Sequence, residues 1–444
     1  MKPDILITDI CLPGTSKDQP LSRDCCIAVQ GNLISRIGPA AEFSGIETKE
    51  AKTVINGHGQ LAISGLINCH CHGAMTLFRG LADDLRLDNW LNNHIFPAEA
   101  KYVAPEMVYW CTKLAAAEMI LSGTTTVADG YFHENEAARA FADAGMRAAP
   151  AQGIIDFPAP GVPDPSKKID DTAATFLDRW KQHPLISPAV FAHSPYTCCP
   201  DTLLAAKELA RAEDVLLFIH TAETRQEAGM IPDMQGGSPI RHLRALELLD
   251  ASTVCVHSVW ADEEDLDILA ETGAAVVVCP QSNLKLASGT APLRAMLDRN
   301  IRVGIGTDGA ASNNSLDLFR EMDICAKLQK LHSLDPVAVP ASDILRMATS
   351  GGAAVLGSER DTGVLEAGKK ADIILIDLDS PRLRPMHGLD LLVYAAQGAD
   401  VQTVLIDGKL VMQDRSIRSF DLDKALHQVR LLAGRVRKRI RKAA

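Results

Sequence analysis

Two histidines one residue apart, His70 and His72, close an apolar run that begins at Leu61. Side chains alternate along a strand, so both imidazoles should leave by one side while Cys69 and Cys71 leave by the other. Two imidazoles at a strand end can grip one cation, although such a pair is more often ordinary surface or core chemistry unless other ligands join it. Three later stretches offer them: His220-Thr-Ala-Glu223, His257-Ser-Val-Trp260 and Thr307-Asp308-Gly309. Nitrogen and carboxylate donors in this number suit Zn²⁺ with one position open to water, and Fe²⁺ or Mn²⁺ fits the same set. A divalent ion makes water acidic enough to supply hydroxide near neutral pH, a nearby carboxylate can take the proton, and a second acid can protonate a substrate. His220 and Glu223 lie three residues apart where strand gives way to loop, so one can bind metal while the other leans over a substrate. To donate, Glu223 must hold a proton, which a dry pocket favours.

Residues this far apart need a scaffold that brings strand ends together. From Gly65 to about Ala354 short apolar segments recur, each followed by a longer helical pattern. The strands are expected over 65–72, 124–129, 147–156, 187–193, 215–220, 253–257, 274–279 and 302–307, with helices such as 105–121, 134–144, 172–182, 200–212, 239–249, 262–272 and 291–300 between them. That rhythm predicts an α/β fold whose parallel sheet closes as a (β/α)8 barrel. An open doubly wound sheet ranks second, because no Gly-x-Gly-x-x-Gly turn follows the early strands. The barrel demands that chemistry sit at strand C-terminal ends, and His70, His72, His193, His220, His257 and Asp308 all fall there.

The flanks read differently. Residues 1–60 form short β-like runs with a Gly31-Asn32 hairpin turn, and about 360–418 returns to β texture with a hairpin at Asp407-Gly408. Neither segment can bury a core alone, so the two are expected to pair into one small composite β-sandwich beside a catalytic barrel over 61–359. Residues 419–444 read as a helix whose last turns crowd basic residues (Arg435, Arg437, Lys438, Arg439, Arg441, Lys442), a solvated end rather than a binding patch.

Composition bounds the partners. At 47% hydrophobic and 23% charged residues over 444 positions, the chain has the make-up of an ordinary globular enzyme. A net charge of −11 argues against nucleic acid or an anionic membrane as the main partner. No apolar run reaches the length of a membrane span, and the start lacks the pattern of a secretory signal. The eleven cysteines follow neither a disulfide framework nor a zinc ribbon, so they are expected to be reduced in a cytoplasmic protein.

In this order the motifs resemble the amidohydrolase superfamily, and within it most closely the S-adenosylhomocysteine/5′-methylthioadenosine deaminase family. The resemblance rests on Gly65-Leu-Ile-Asn-Cys-His-Cys-His72, Met75-Thr-Leu-Phe-Arg-Gly80, His193-Ser-Pro-Tyr196, His220-Thr-Ala-Glu223, Asn283-Leu-Lys-Leu286, Thr307-Asp-Gly-Ala-Ala-Ser-Asn-Asn-Ser315 and Glu366-Ala-Gly-Lys-Lys-Ala-Asp372. It implies that His70, His72, His220 and Asp308 hold one divalent metal, usually zinc. Glu223 would protonate the ring nitrogen, His257 would orient and polarise the attacking water, and Asp308 would take its proton. The implied reaction replaces the amino group on C6 of an adenine ring, releasing ammonia. Relatives with two metals use a lysine at the end of the fourth strand; none stands between Ser187 and His193, which implies a single ion.

The same resemblance places substrate contacts at Glu99 for ribose hydroxyls, His193 for the purine, Trp90 as a pocket wall, and Ser312 beyond the metal aspartate. For Glu99 the alternative is an exposed carboxylate at a helix start, and for Trp90 simple core packing. Relatives that bind a homocysteine carboxylate can use arginines after the third strand. Here Gln152 stands at that position, as a further expected substrate contact, and no arginine occurs from Ala148 to Thr175, which points to a smaller or uncharged 5′ group, with Arg147 and Arg225 as substitutes if a cation is needed. The expected partner is thus a small nucleoside; homo-oligomerisation is left open. Competing readings are a guanine, cytosine or s-triazine aminohydrolase of the same superfamily, and a non-catalytic scaffold, which would be expected to have lost ligands.

Overall fold

The structure, a computed structural model, describes residues 2–14, 20–43, 50–162, 164–231 and 233–443. Strands β1 (Ile5–Pro13), β2 (Leu21–Gln30), β3 (Leu33–Pro39), β4 (Thr53–Asn56) and β5 (Leu61–Ser64) come first. Then follow β6 (Leu66–His72), β7 (Thr124–Tyr131), β8 (Arg147–Ile154), β9 (Ala189–Ala192), β10 (Leu217–Thr221), β11 (Thr253–His257), β12 (Ala275–Val278), β13 (Val303–Ile305) and β14 (Asp308–Gly309). The last group is β15 (Ile373–Ile376), β16 (Val401–Ile406), β17 (Lys409–Gln413) and β18 (Ser416–Ile417).

Strands β6 to β14 form one parallel sheet, in which β6 to β13 pair in chain order and β14 pairs with β6. The eighth strand is split: Val303–Ile305 pairs with β12 on one side, and Asp308–Gly309 pairs with Cys71 and His72 of β6 on the other. That pairing closes the cylinder, and Asn68 locks the seam by bonding Thr307 with both ends of its amide, at 2.8 and 3.0 Å. Helices Pro105–Leu121, Glu134–Ala144, Pro200–Ala212 and Glu263–Thr272 fall where the sequence pattern places them. The helix expected over 239–249 stops at Ala245 and the one over 291–300 shrinks to Leu293–Asp298. Asp262 caps its helix through a reciprocal bond with Asp265.

The N-terminal strands find their partner in the C-terminal ones. A second sheet runs β18-β17-β16-β15-β5-β1-β2-β3, with β4 beside β1. Aliphatic residues of both chain ends, among them Ile7, Ile27, Ile55, Ile373 and Leu405, share one buried cluster. Gly31 at φ +61° turns β2 into β3, and Asp407 and Gly408, both at positive φ, turn β16 into β17. The apolar run from Leu61 is not one strand. It breaks at Gly65, where a Cβ would lie 2.1 Å from the Thr125 side chain, and the chain crosses there from the composite sheet into the barrel. Arg147, at the start of β8, ties the two sheets together through Asp372 at 2.9 Å and Asp407 at 3.1 Å. A helix spans Leu422–Ala443; the basic side chains of Arg437, Lys438, Arg439, Arg441 and Lys442 lie outside the described residues. Among the described residues no helix is long and apolar enough to cross a membrane.

Candidate active site

The first strand of the barrel reaches its histidines by a detour. Ile67 and Cys69 face the interior with Ala128, Ala151 and Phe191, and the pairing with β7 slips between Asn68 and Cys71. This bulge lets His70 turn inward as well, while Cys71 packs outward among the helices. Alternation therefore turns Cys71 away from the histidines, as expected, but not Cys69. Cys69 stays apart from them because its thiol is directed at the carbonyls of Ile67 and Gly352, and burial pushes it up to about 12. Room for this packing comes from the eighth strand. A Cβ at Gly304 would lie 2.5 Å from Cys69 Sγ, and one at Gly306 would lie 2.9 Å from Cβ, N and O of His70.

At the strand ends the side chains converge. His70 Nε2 and His220 Nε2 stand 3.2 Å apart, and Asp308 Oδ1 lies 3.6 Å from His70 Nε2 and 3.3 Å from His72 Nε2. One ring nitrogen from each of His70, His72 and His220 falls within 4.8 Å of the other two. His72 Nδ1 is bonded to the Gly130 carbonyl, which places a proton on that nitrogen and leaves Nε2 bare toward the cluster. Ser282 and Ser312 donate to Asp308 Oδ2 at 2.6 and 3.0 Å, and the Gly309 amide donates to Oδ1 at 2.8 Å.

Electrostatics match the geometry. Burial pushes His70 down to about 4 against the pull of Asp308, and drives His220 well below the ordinary histidine range with help from its neighbouring imidazoles. His72 and His257 are lowered by burial too. Burial alone would raise Asp308, but contact with His70 and the neighbouring His72 and His257 outweighs it and holds the carboxyl well below its usual range. Two unprotonated ring nitrogens 3.2 Å apart repel unless positive charge lies between them. Three neutral imidazoles and a carboxylate, already desolvated and already facing one another, fit a single divalent ion.

Glu223 lies just past β10 and is buried; burial and the charge of Asp308 push it up to about 8, so it carries a proton at neutral pH. His257 Nε2 faces it at 3.9 Å. The backbone is held in the left-handed region at Ala222 (φ +52°), His257 (φ +76°), Ser258 (φ +47°) and Asp308 (φ +58°), a concentration of strained non-glycine residues typical of built sites. Above these groups opens a cavity of about 730 Å³, counting its mouth, lined by His72, His220, Glu223, His257 and Asp308 at the base and by Met75, Leu87, Trp90, Leu91, Ile95, Phe96, Phe132 and Leu286 higher up. An apolar wall above a few convergent polar groups is the make-up of a small-molecule site.

Glu99, Trp90, His193 and Ser312 all line this cavity. Glu99 is no exposed helix-start carboxylate: it is buried, accepts a 2.7 Å hydrogen bond from Tyr131, and burial pushes it up to about 7. Trp90 is buried and serves both wall and core. The His193 ring is held by Thr197 Oγ1 at 2.9 Å, and burial with the nearby His72 and His70 pushes it down to about 3. The Ser312 hydroxyl reaches Asp308.

Gln152 is not brought to the site. On β8 the inward positions are Ala149, Ala151 and Gly153, so alternation sends Gln152 toward the helices. There it accepts from the Glu134 amide at 3.1 Å and donates to the Gly153 carbonyl at 3.3 Å. Arg147 is engaged between the two sheets, and the exposed Arg225 stacks 4.3 Å over the Trp260 ring. Among the described residues, no lysine or arginine lines the cavity.

Residues 61–411 match the amidohydrolase family. The chain belongs to that family. It is 45% identical over 437 residues to the 5-methylthioadenosine/S-adenosylhomocysteine deaminase 1 of Syntrophus aciditrophicus, covering 98% of this chain and 97% of the relative. A zinc-bound adenosine deaminase from Xanthomonas campestris superposes with a TM-score of 0.93 at 35% identity, covering 98% of this chain and 99% of its own. A zinc-complexed atrazine chlorohydrolase from Arthrobacter aurescens follows at a TM-score of 0.86 and 23% identity, over 97% and 100% of the two chains, a likeness that speaks to the fold alone.

This amidohydrolase also recruits residues to which no role was assigned from sequence, Asn283 having stood only inside a motif. Tyr131 bonds Glu99, Ser282 bonds Asp308, and Asn283 meets His257. The signal for the last two was the position of Pro280-Gln-Ser-Asn283 directly after a barrel strand. Tyr131 offered no such signal, since on β7 it reads as a strand aromatic.

Proposed function

We propose that this chain is a metal-dependent hydrolytic deaminase of adenosine-type nucleosides, converting 5′-methylthioadenosine, S-adenosylhomocysteine or adenosine to the inosine analogue and ammonia. The observation that carries the reading is the meeting of His70, His72, His220 and Asp308 with the buried Glu223 at the base of one apolar-walled cavity. The names of the relatives support it from outside the geometry. His70, His72, His220 and Asp308 would hold one ion, zinc being favoured by three imidazoles and a carboxylate. When bound, that ion supplies hydroxide at neutral pH.

The protein's own groups then divide the work. Asp308, already ionised, accepts the proton of the attacking water. Glu223 gives its proton to the ring nitrogen beside C6 as the oxygen adds, so no charge builds on the ring. His257 holds the oxygen on the attacking face. Breakdown of the tetrahedral carbon expels ammonia, which takes the proton that Asp308 accepted, while the added hydroxyl gives up its remaining proton as the carbonyl forms, restoring the Glu223 acid. Glu99, oriented by Tyr131, is placed for the ribose hydroxyls, and His193 and Trp90 for the purine. The apolar upper wall with no cationic side chain favours a short uncharged 5′ group over a homocysteinyl carboxylate. We assign 65–359 to the catalytic barrel, 1–64 with 360–418 to the composite β unit, since β5 pairs there rather than in the barrel, and 419–444 to the terminal helix.

Ammonia release from adenosine, methylthioadenosine, S-adenosylhomocysteine, guanine and cytosine, with metal quantified in the same sample, tests the reading. Nucleoside deamination by a protein holding about one ion per chain is expected. Activity on a free base alone would overturn the substrate class, and no bound divalent ion after metal-replete expression would revive a scaffold.

A further inference from the structure

We infer that Asn283 is a positioning residue that fixes the His257 ring with its proton on Nε2, so that His257 donates a hydrogen bond to the reacting oxygen and cannot serve as a base. On β11, Val254 and Val256 face the barrel interior and Cys255 faces the helices, so plain alternation would turn residue 257 outward. Positive φ at His257 and Ser258 swings the ring back over the cavity. The turn is strapped to β10 by the Ser258 amide on the Thr221 carbonyl and the Trp260 amide on the Ala222 carbonyl, both at 2.9 Å.

In this pose the two ring nitrogens face different partners. Nε2 looks into the cavity, 3.9 Å from Glu223 Oε2, while Nδ1 lies 3.2 Å from Asn283 Nδ2. An amide nitrogen only donates, so Nδ1 must be the bare acceptor and the single proton of the neutral ring sits on Nε2. Asn283 is itself fixed. It is 3% exposed, and its main chain is held at both ends, the backbone amide donating to the Cys279 carbonyl at 3.0 Å and the backbone carbonyl accepting from the Ser288 amide at 2.8 Å. It is also the third of three consecutive grips in the helix Pro280–Lys285: Gln281 holds Glu321 at 2.6 Å, Ser282 holds Asp308 at 2.6 Å, and Asn283 holds His257. One short helix thus sets the base and the donor together. The division of labour rests on the proposed deamination, whereas the tautomer does not.

Two variants of similar volume separate this from packing: Asn283→Leu, which removes the donor, and Asn283→Asp, whose ionised carboxylate draws the proton to Nδ1 and bares Nε2. The test uses metal-replete full-length protein labelled with ¹⁵N-histidine, the His257 resonances being assigned by their loss in His257→Gln. Wild type is expected to show a neutral His257 protonated at Nε2, and the Asp variant a ring protonated at Nδ1. With methylthioadenosine, kcat should fall about tenfold in the Leu variant and about 10² or more in the Asp variant, with KM and metal content held, as when a histidine is left in the wrong tautomer. A wild-type ring protonated at Nδ1, or an Asp variant as active as wild type, overturns the inference. So does a Leu variant that loses kcat, KM and thermal stability together, which would mark packing only. If wild type deaminates nothing, the functional reading falls, and the nitrogen shifts still decide the tautomer.

Discussion

Replacing Glu223 with glutamine keeps the shape of the side chain and removes the one proton the ring nitrogen is proposed to receive. Burial and the charge of Asp308 push the carboxyl up to about 8 before any ion is bound, into the range where a side chain can carry and release a proton near neutral pH. Glutamine can still donate a hydrogen bond but cannot transfer a proton, so the loss should be that of a general acid, about 10² to 10⁴ in kcat or roughly 3 to 5 kcal/mol of barrier. The scaffold should not notice. The 2.8 Å bond to Glu227 comes from the Glu223 backbone amide, and His220 sits three residues earlier on the strand. Ammonia release under saturating methylthioadenosine, beside metal analysis, reads both quantities. Wild-type activity should also fall as pH rises through the pKa of Glu223, because the proton is lost; positive charge bound at the histidines moves that limb to lower pH, never higher. The glutamine variant should lack the limb. A variant within about threefold of wild type, or one that loses metal in step with activity, would refute Glu223 as the acid.

Other expectations follow from packing and charge. Gly306→Ala puts a methyl group 2.9 Å from Cβ, N and O of His70, so the strand must shift; a cost of about 1–3 kcal/mol and weakened metal retention are expected, and a fully metal-loaded, active variant would show slack the structure does not have. Glu99 is favoured neutral in the fold, so its contribution to stability is complete below 4.5 and fades as pH rises through about 7, a displacement of roughly 3 kcal/mol. Denaturant midpoints of wild type and Glu99→Gln should therefore diverge between pH 5 and pH 9, with wild type losing more; parallel curves would contradict the buried neutral acid. Methylthioadenosine should exceed S-adenosylhomocysteine in kcat/KM by about tenfold or more, since a carboxylate entering an apolar cavity finds no partner; equal values would mean that a cation from the rim, such as Arg225, swings in.

Much of this protein was written locally. Alternating apolar runs with helical patterns between them announced a closed parallel sheet, and the hairpins at Gly31-Asn32 and Asp407-Gly408 appear where their turn chemistry put them. A barrel delivers strand C-terminal ends to one mouth, so listing the histidines and acids at those ends was already close to listing the site. Side-chain direction was less legible. Strict alternation mispointed Cys69 because a bulge in β6 adds a residue that no local pattern marks, and Gln152 was assigned a contact although the alternation of β8 turns it to the helices.

The sequence alone determined which chemistry was affordable: imidazoles, carboxylates and a cylinder to gather them, because periodicity and residue type are local properties. Only the tertiary structure decided which nitrogen faces which, that Glu99 is buried against Tyr131, that Gly306 is a gap for His70, and that Asn283 reaches His257. Those facts come from contacts across many residues of chain, where burial and backbone strain, rather than local preference, choose the direction of a side chain.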